Sequence, residues 1–269
     1  MKDYLVCIDS DGCAIDSMDI KHKCCFGPGI VEIWNLEPWK KEILDRWNEI
    51  NLYSMTRGIN RFLGLEMMLS EIDAAYRKID GIERYSQWCR ETDTFSNDAL
   101  ETKMKEDRHP IFEQAFQWSL YVNRKNDTIA DEIHPFEGVR EALDEICKFA
   151  DIAIVSSANP KAVQEEWTRF GFLDKVDYVM TQDAGTKAAC IGLMLKKGYQ
   201  KDRIVMVGDA PGDERAARDN GVRYFPILAG HECDSWIQLR QEMLPRLMED
   251  QFDDEYQKYL LKKFFENLE

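Results

Sequence analysis

The run YLVCIDSDG at residues 4–12 decides the fold of this chain. Its first part, Tyr4–Ile8, is apolar or aromatic without interruption, and the run then ends abruptly in Asp9 and Asp11. A continuous apolar run of this length is typical of a strand that is buried on both faces, as in a parallel sheet. We therefore predict that residues 4–9 form a buried strand, with the aspartates at its carboxyl end.

A second group of short apolar runs follows residue 134 and alternates with amphipathic segments. Four of these runs predict strands, at Ile152–Val155, Tyr178–Met180, Ile204–Val207 and Val222–Leu228. The segments that precede or separate them predict helices, at Val139–Phe149, Pro160–Phe170, Lys187–Lys197 and Asp213–Asn220. Strands that alternate with single helices indicate a parallel sheet with right-handed crossovers. The predicted fold class is therefore α/β, with a doubly wound, Rossmann-like core.

The residues between the first strand and this second group have a different pattern. Aromatic and aliphatic side chains recur at helical spacing over residues 16–134, and no apolar run there predicts a strand. We expect a helical domain whose tryptophans lie in the bundle core, with a substrate platform as the alternative for these side chains. The tryptophans concerned are Trp34, Trp39, Trp47, Trp88 and Trp118.

The predicted organisation has three parts. A discontinuous core spans residues 1–15 and 135–235, and the helical insertion spans residues 16–134 between its two pieces. An apolar stripe that runs from Met248 to Phe264 predicts an amphipathic helix within a C-terminal extension at 236–269.

The composition excludes several classes of protein. With 44% hydrophobic and 32% charged residues, the chain can bury a core and is not disordered by composition. Its net charge of −15 repels phosphate backbones, so we expect no nucleic-acid partner. The apolar run at the N-terminus is too short for a signal peptide, and no run is long enough to span a membrane. The eight cysteines form no CxxC pair, which favours reduced thiols in a cytoplasmic protein.

The carboxyl ends of the predicted strands bring acidic side chains together. Ligands of an open parallel sheet bind beyond these ends. The polar residues found there, with the lysine that begins the helix at 187–197, are Asp9, Asp11, Ser156, Lys187, Asp209 and Asp213. Clustered carboxylates repel one another, and a divalent cation would offset that repulsion. Ligands that are all oxygen favour Mg²⁺, which binds through a few carboxylates together with substrate phosphate. Ser156 and Lys187 could then hold the remaining phosphate oxygens.

Four motifs in these segments carry a resemblance to a known family. They are DSDG at 9–12, Ser156 at the end of IAIVS, Lys187, and GDAPGD at 208–213 after IVMV. Their order along the chain and their places at strand ends resemble the four motifs of the haloacid dehalogenase (HAD) superfamily. The helical insertion lies where members of this superfamily place a cap of the type called C1.

The resemblance implies a role for each of these residues. Asp9 would attack the phosphoryl group to form an aspartyl-phosphate, and Asp11 would protonate the leaving oxygen and then activate water. At an extended strand end, residues i and i+2 point to the same side, so both carboxylates would face the substrate. Asp9, Asp209 and the backbone carbonyl of Asp11 would hold Mg²⁺, and Asp213 would bind it directly or through water.

The function implied is an Mg²⁺-dependent phosphatase that hydrolyses a small phosphorylated metabolite. Asp11 favours phosphate-ester chemistry, because dehalogenase members lack an aspartate there and phosphonate-cleaving members commonly carry alanine. A β-phosphoglucomutase-like phosphotransferase carries the same four motifs and remains an alternative. A non-catalytic, phosphate-sensing protein on the same fold is the alternative outside the enzymes. The oligomeric state and the identity of the metabolite stay open.

Three of the motif residues also allow simpler interpretations. Ser156 could cap the following helix, and Ser157 could then take its place in the site. Lys161 competes with Lys187, although it follows the second motif directly. Asp213 could be only an acidic residue in the first turn of its helix.

Specificity would have to come from the helical insertion, because the core would hold every phosphate ester in the same way. The connections of the insertion, near 14–17 and 132–136, suit a lid that opens and closes. Arg57 and Arg61 are four residues apart and could face one side of a cap helix, where they would bind a polar or anionic leaving group. A solvated or salt-bridged face is the alternative for both arginines.

Overall fold

The computed structural model describes all residues 1–269 and divides them into two compact units. The first unit combines Met1–Ser17 with Ile133–Glu269, and the second unit is Met18–Glu132. The second unit differs from the predicted insertion at 16–134 by two residues at each end. The C-terminal residues from 236 onward belong to the same compact unit as the sheet.

The first unit contains a five-stranded sheet in which all neighbouring strands are parallel. A separate antiparallel pair of two-residue strands links the two connections of the insertion. It pairs Ile15 with Pro135 and Asp16 with His134. In chain order the strands are β1 (Tyr4–Ile8), β2 (Ile15–Asp16), β3 (His134–Pro135), β4 (Ala150–Val155), β5 (Tyr178–Met180), β6 (Ile204–Gly208) and β7 (Arg223–Pro226). The strand order of the larger sheet is β5-β4-β1-β6-β7, which confirms the predicted doubly wound α/β class.

The three central strands explain the uninterrupted apolar runs. In β1, β4 and β6, every residue but Tyr4 is buried. Val6 of β1 pairs with Ile152 of β4 on one side and with Val205 of β6 on the other. Because side chains on both faces of these strands are buried, apolar residues occur at consecutive positions and not at alternate ones, and Asp151 of β4 is the buried charged exception.

The second unit is helical. Its helices are α1 (Met18–Lys21), α2 (Gly27–Ile33), α3 (Lys40–Leu52), α4 (Arg61–Ala75), α5 (Ile82–Glu91), α6 (Asn97–Glu106) and α7 (Pro110–Thr128), with a π-helical turn at His22–Phe26. Trp47 and Trp118 are fully buried, with ring centroids 6.0 Å apart. Trp34 and Trp88 are buried in the same cluster and Trp39 packs against it, which confirms the bundle-core interpretation.

The remaining helices belong to the first unit. They are α8 (Val139–Ile146), α9 (Pro160–Arg169), α10 (Lys187–Lys197), α11 (Pro211–Asn220), α12 (Glu232–Gln238), α13 (Leu244–Met248) and α14 (Asp254–Leu268), with a second π-helical turn at Leu239–Met243. Helix α10 begins where the hydroxyl of Thr186 accepts a hydrogen bond from the backbone N–H of Ala189 at 3.1 Å. Lys187 is therefore the first residue of this helix. No helix in either unit has both the length and the apolar character that spanning a membrane requires.

The C-terminal stripe does not lie on one helix. Met248 ends α13, whereas α14 begins at Asp254, after Asp253 accepts a hydrogen bond from the backbone N–H of Tyr256 at 2.8 Å. Between the two helices, Asp250 adopts a φ of +54°, which an α-helix does not allow. The apolar spacing was compatible with a single helix, but the N-cap and the left-handed residue divide it.

Candidate active site

Three polar residues directly follow the three central strands. Asp9 comes after β1, Ser156 after β4 and Asp209 after β6, and these strands are neighbours in the sheet. The backbone N–H of Asp9 donates to the carbonyl of Val207 at 3.0 Å, and that of Ser156 donates to Met180 at 3.0 Å. The sheet hydrogen bonds therefore continue beyond the strands, and the three residues lie at one edge.

A buried lysine lies between two carboxylates at this edge. Lys187 Nζ is 2.7 Å from Asp9 Oδ2 and 2.6 Å from Asp213 Oδ1. Carboxylate oxygens of Asp9, Asp209 and Asp213 lie within 4.8 Å of one another, and all three residues are buried. The structure thus brings together four of the residues that the sequence predicted for the site.

The close approach of Asp213 depends on a glycine. Asp213 lies in the first turn of α11, and its Oδ2 accepts a hydrogen bond from the backbone N–H of Ala210 at 3.1 Å. A Cβ atom at Gly208 would lie 2.4 Å from Asp213 Cγ, which leaves no room for any other residue there. Asp213 is therefore both an acidic residue in the first turn of its helix and a member of the cluster. The helix-turn interpretation and the metal-site interpretation do not exclude each other.

Burial and charge shift the titration of this cluster. Burial raises the pKa of Asp9 to about 7, although the ammonium of Lys187 opposes the shift. Burial also raises the pKa of Asp213 above its ordinary value. Burial by itself would lower the pKa of Lys187, but the carboxylates of Asp213 and Asp9 outweigh that effect and hold it above the ordinary value. The lysine therefore stays charged, and since one ammonium can balance only one of the three carboxylates, a further cation would stabilise their ionised forms.

The chemistry of the donors fits a hard divalent cation. Asp9, Asp209 and Asp213 offer only carboxylate oxygens, and one ligand atom from each lies within 4.8 Å of the others. Mg²⁺ prefers oxygen ligands and commonly uses one or two carboxylates together with water and phosphate. The residues present are therefore suitable for the predicted Mg²⁺.

The carboxylate of Asp11 lies outside this group of three. It accepts a hydrogen bond from the hydroxyl of Ser17, which is fully buried. The predicted metal contact of Asp11 concerns its backbone carbonyl and stays a prediction. Ser17 itself was not predicted, because it lies six positions after Asp11 and no periodic pattern links the two.

A tight turn after β1 explains how Ser17 returns to Asp11. The carbonyl of Ser10 accepts hydrogen bonds from three successive backbone N–H groups, those of Cys13, Ala14 and Ile15, at 3.3, 3.1 and 2.9 Å. Gly12 adopts a φ of +78°, in the left-handed region that glycine tolerates best. The glycine of the DSDG motif is therefore needed for the turn that folds the chain back.

The alternatives to Ser156 and Lys187 are not supported by the structure. Ser156 is buried whereas Ser157 is exposed, and the N-cap of α9 is Asn159, whose side chain accepts a hydrogen bond from the backbone N–H of Lys161 at 2.9 Å. The side chain of Lys161 is 82% exposed and lies 3.7 Å from Glu165. Lys161 is thus on the surface, while Lys187 is in the buried cluster.

Arg57 and Arg61 do not share a helix face, so this part of the prediction was wrong. Helix α4 begins at Arg61, and Arg57 lies in the preceding loop, where Gly58 has a φ of +70°. Arg57 is buried and donates to the backbone carbonyl of Leu52 at 2.7 Å, whereas Arg61 donates to Asn123 Oδ1 at 2.8 Å. The four-residue spacing therefore does not create a helical anion clamp, and a contact of either arginine with a leaving group stays a prediction.

The comparison with protein families gives one match. The model of the family described as haloacid dehalogenase-like hydrolase matches residues 81–227, more than half of the chain. The matched range contains Ser156, Lys187, Asp209 and Asp213. A search of curated proteins finds no match.

Solved structures of similar fold come from several bacteria. A protein assigned as a phosphoglycolate phosphatase, from Lactobacillus delbrueckii subsp. bulgaricus, has a TM-score of 0.53 at 14% identity, over 90% of this chain and 92% of that chain. One assigned as a β-phosphoglucomutase, from Thermotoga maritima, has a TM-score of 0.49 at 14% identity, over 83% and 84% of the two chains. A haloacid dehalogenase-like family hydrolase from Streptococcus pneumoniae has a TM-score of 0.48 at 13% identity, over 89% and 91%. At 14% identity, the similarity to the Lactobacillus delbrueckii protein shows a shared fold alone.

Proposed function

The chain belongs to the haloacid dehalogenase-like hydrolase family, and from this premise we propose that it is an Mg²⁺-dependent phosphatase. Its substrate is a small phosphorylated metabolite, and its reaction passes through an aspartyl-phosphate at Asp9. The observation that carries the proposal is the buried cluster at the end of the central strand, where Lys187 Nζ lies within 2.7 Å of both Asp9 and Asp213. Such a group of strongly perturbed, buried charges is typical of a catalytic site.

Asp9 is the nucleophile in this proposal. Its Oδ1 accepts a hydrogen bond from the backbone N–H of Ser10 at 2.8 Å, and its Oδ2 contacts Lys187. Both carboxylate oxygens are thereby held in a fixed orientation, which lowers the entropic cost of reaching the attack geometry. Attack by a carboxylate divides one difficult displacement at phosphorus into two easier steps.

Asp11 is the acid and base in the same proposal. Its carboxyl gives a proton to the leaving oxygen in the first step and accepts a proton from water in the second. The hydrogen bond from Ser17 fixes one oxygen of this carboxylate. Dehalogenation needs no such proton donor, so an aspartate at this position favours phosphate esters as substrates.

The groups that would face the phosphoryl group are the hydroxyl of Ser156, the ammonium of Lys187 and the metal site. Lys187 holds a positive charge at the cluster, and Ser156 provides a hydroxyl at the neighbouring strand end. Asp9, Asp209 and Asp213 would hold Mg²⁺, together with the backbone carbonyl of Asp11. When bound, Mg²⁺ orients the phosphate and offsets its negative charge.

The experiment that tests the proposal is turnover of an aryl phosphate by the purified protein with Mg²⁺, followed by a panel of phosphorylated metabolites. The wild-type protein should release phosphate, and Asp9→Asn should not. Asp3→Asn is the matched control, because it makes the same chemical change at a side chain that is 81% exposed. Phosphate binding without turnover would instead favour the non-catalytic alternative. Transfer of phosphate to a second hydroxyl compound, with little release, would favour the phosphotransferase.

A further inference from the structure

Two buried tryptophans donate hydrogen bonds to the loop that carries Asp9 and Asp11. Trp167 Nε1 donates to the hydroxyl oxygen of Ser10 at 2.9 Å, and Trp236 Nε1 donates to the backbone carbonyl of Cys13 at 2.9 Å. Both indoles are fully buried. Because both bonds are shielded from water, they hold their partners more firmly than surface hydrogen bonds would.

The two indoles approach the loop from different elements of the first unit. Trp167 belongs to α9, the helix that follows the Ser156 loop, and Trp236 belongs to α12, which follows the last strand. The loop is therefore tied to two independent helices at positions three residues apart. These two contacts add to the hydrogen bonds that the loop makes within its own turn and with β6.

Ser10 connects the first of these bonds to the nucleophile. Its backbone N–H donates to Asp9 Oδ1 at 2.8 Å, while its carbonyl accepts the N–H groups that form the turn. A shift of Ser10 would therefore move the carboxylate of Asp9 and the turn that leads to Asp11. Misplacing a reacting group by about 1 Å can cost on the order of a hundredfold in rate.

Neighbouring residues hold each indole in place. The ring of Trp167 packs edge-on against Phe172, with centroids 6.0 Å apart. Gly138 has a φ of +91°, and a Cβ atom there would lie 3.2 Å from Trp236 Cβ. Trp236 thus occupies a place that a glycine in a left-handed conformation leaves open, and neither ring can shift easily.

We propose that Trp167 and Trp236 are positioning residues for the reaction, acting through Ser10 and Cys13 on the geometry of Asp9 and Asp11. The inference rests on the proposed function for its catalytic consequence. The tether itself is independent of that function and can be measured without substrate.

The test combines Trp167→Phe, Ser10→Ala and the double variant, with Trp236→Phe as a second probe of the loop. Two readouts are needed: hydrogen exchange of the Cys13, Ala14 and Ile15 amides, and kcat with KM for an aryl phosphate. The amides should exchange about tenfold faster in each single variant, because the turn opens more often. We expect kcat to fall about tenfold with little change in KM, since the reacting group is displaced while the phosphate contacts remain.

The double variant separates a direct tether from two unrelated effects. If the indole acts through the Ser10 hydroxyl, the double variant should be no slower than the slower single variant. Tyr199→Phe is the matched control, because it removes a buried hydroxyl that donates to Asp151, at the opposite end of β4 from Ser156. This control should lower the thermal stability while leaving both loop exchange and kcat unchanged.

Three results would overturn the proposal. These are unchanged exchange of the loop amides in all three single variants, faster exchange with kcat within about twofold of wild type, and multiplicative losses in the double variant. If Trp167→Phe failed to fold, Ser10→Ala would still decide, because it removes the acceptor with a minimal change of volume. Absence of turnover by the wild-type protein would refute the proposed function, and the exchange rates would then still show whether the indoles hold the loop.

Discussion

Replacing Lys187 with methionine removes the only ammonium from the buried cluster. Its side chain is 15% exposed, and those of Asp9 and Asp213, at 2.7 and 2.6 Å, are 7% and 0% exposed. Removing one partner of a buried ion pair costs about 3–5 kcal/mol, because the remaining charge is left uncompensated. A domain is commonly stable by about 5–15 kcal/mol, so Lys187→Met should lose a large part of the free energy of unfolding.

The loss should depend on pH in a definite direction. Burial already raises the pKa of Asp9 to about 7, against an ordinary value of 3.8, and the pKa should rise further without the ammonium. A carboxyl whose pKa is higher in the folded state lowers the stability progressively as pH rises from its unfolded pKa to its folded pKa, and the cost disappears below the unfolded value. The destabilisation of Lys187→Met should therefore be largest near pH 8 and should shrink toward about pH 5, as the buried carboxyls take up protons.

Urea unfolding in the presence of EDTA measures this effect. Wild type, Lys187→Met and Lys161→Met should be compared at about pH 8 and about pH 5. Lys161→Met is the control, since its side chain is 82% exposed and should leave the stability unchanged. Replacing the EDTA with Mg²⁺ should recover part of the loss by supplying a cation to the carboxylates. A variant as stable as wild type at the higher pH, or a loss that grows as pH falls, would refute the electrostatic account of the cluster.

Three further predictions concern catalysis. Asp9→Asn should abolish phosphate release while the far-ultraviolet circular dichroism stays that of the wild type, because an amide of nearly the same shape cannot attack phosphorus; residual activity within about tenfold of wild type would contradict this role. Activity should disappear after EDTA treatment, return with Mg²⁺ and be inhibited by Ca²⁺, which takes more ligands at longer distances; unchanged activity in EDTA would count against the site. Arg57→Ala or Arg61→Ala should raise KM for the preferred metabolite by about tenfold and leave aryl phosphate hydrolysis nearly intact. If Arg57→Ala also lowers the thermal stability, its effect on KM would instead be explained by the lost hydrogen bond to the carbonyl of Leu52.

The convergence of the charged residues was predictable from the sequence because it follows from topology. Apolar runs identify the parallel strands, and parallel strands place their carboxyl ends at one edge. This argument places Asp9 and Asp209 at the same edge and brings Asp213, which follows Asp209 in the first turn of α11, near them. Lys187 followed from the same argument, since its helix begins just after the loop that leaves β5.

Other parts of the site could not be predicted, because they depend on atomic geometry that produces no repeating pattern of residue types in the sequence. The hydrogen bond from Ser17 to Asp11 requires the turn at Gly12, and Gly208 is needed only because Asp213 packs against its Cα. The antiparallel pair of β2 and β3 has two residues in each strand, too few for an apolar pattern. The loop that contains Arg57 has hydrogen bonds of its own and ends at the Asn60 cap, so helical spacing misled the prediction for the arginines.

The central claim, an aspartyl-phosphate at Asp9, is tested most directly by trapping the intermediate. The protein is mixed with Mg²⁺ and a turned-over phosphate ester, quenched in acid and treated with borohydride, which reduces an acyl phosphate to an alcohol. Mass spectrometry of the N-terminal peptide should then find homoserine at position 9, with Asp11 unchanged and no conversion in Asp9→Asn. Steady turnover without homoserine at position 9, or with the label at another residue, would contradict the account.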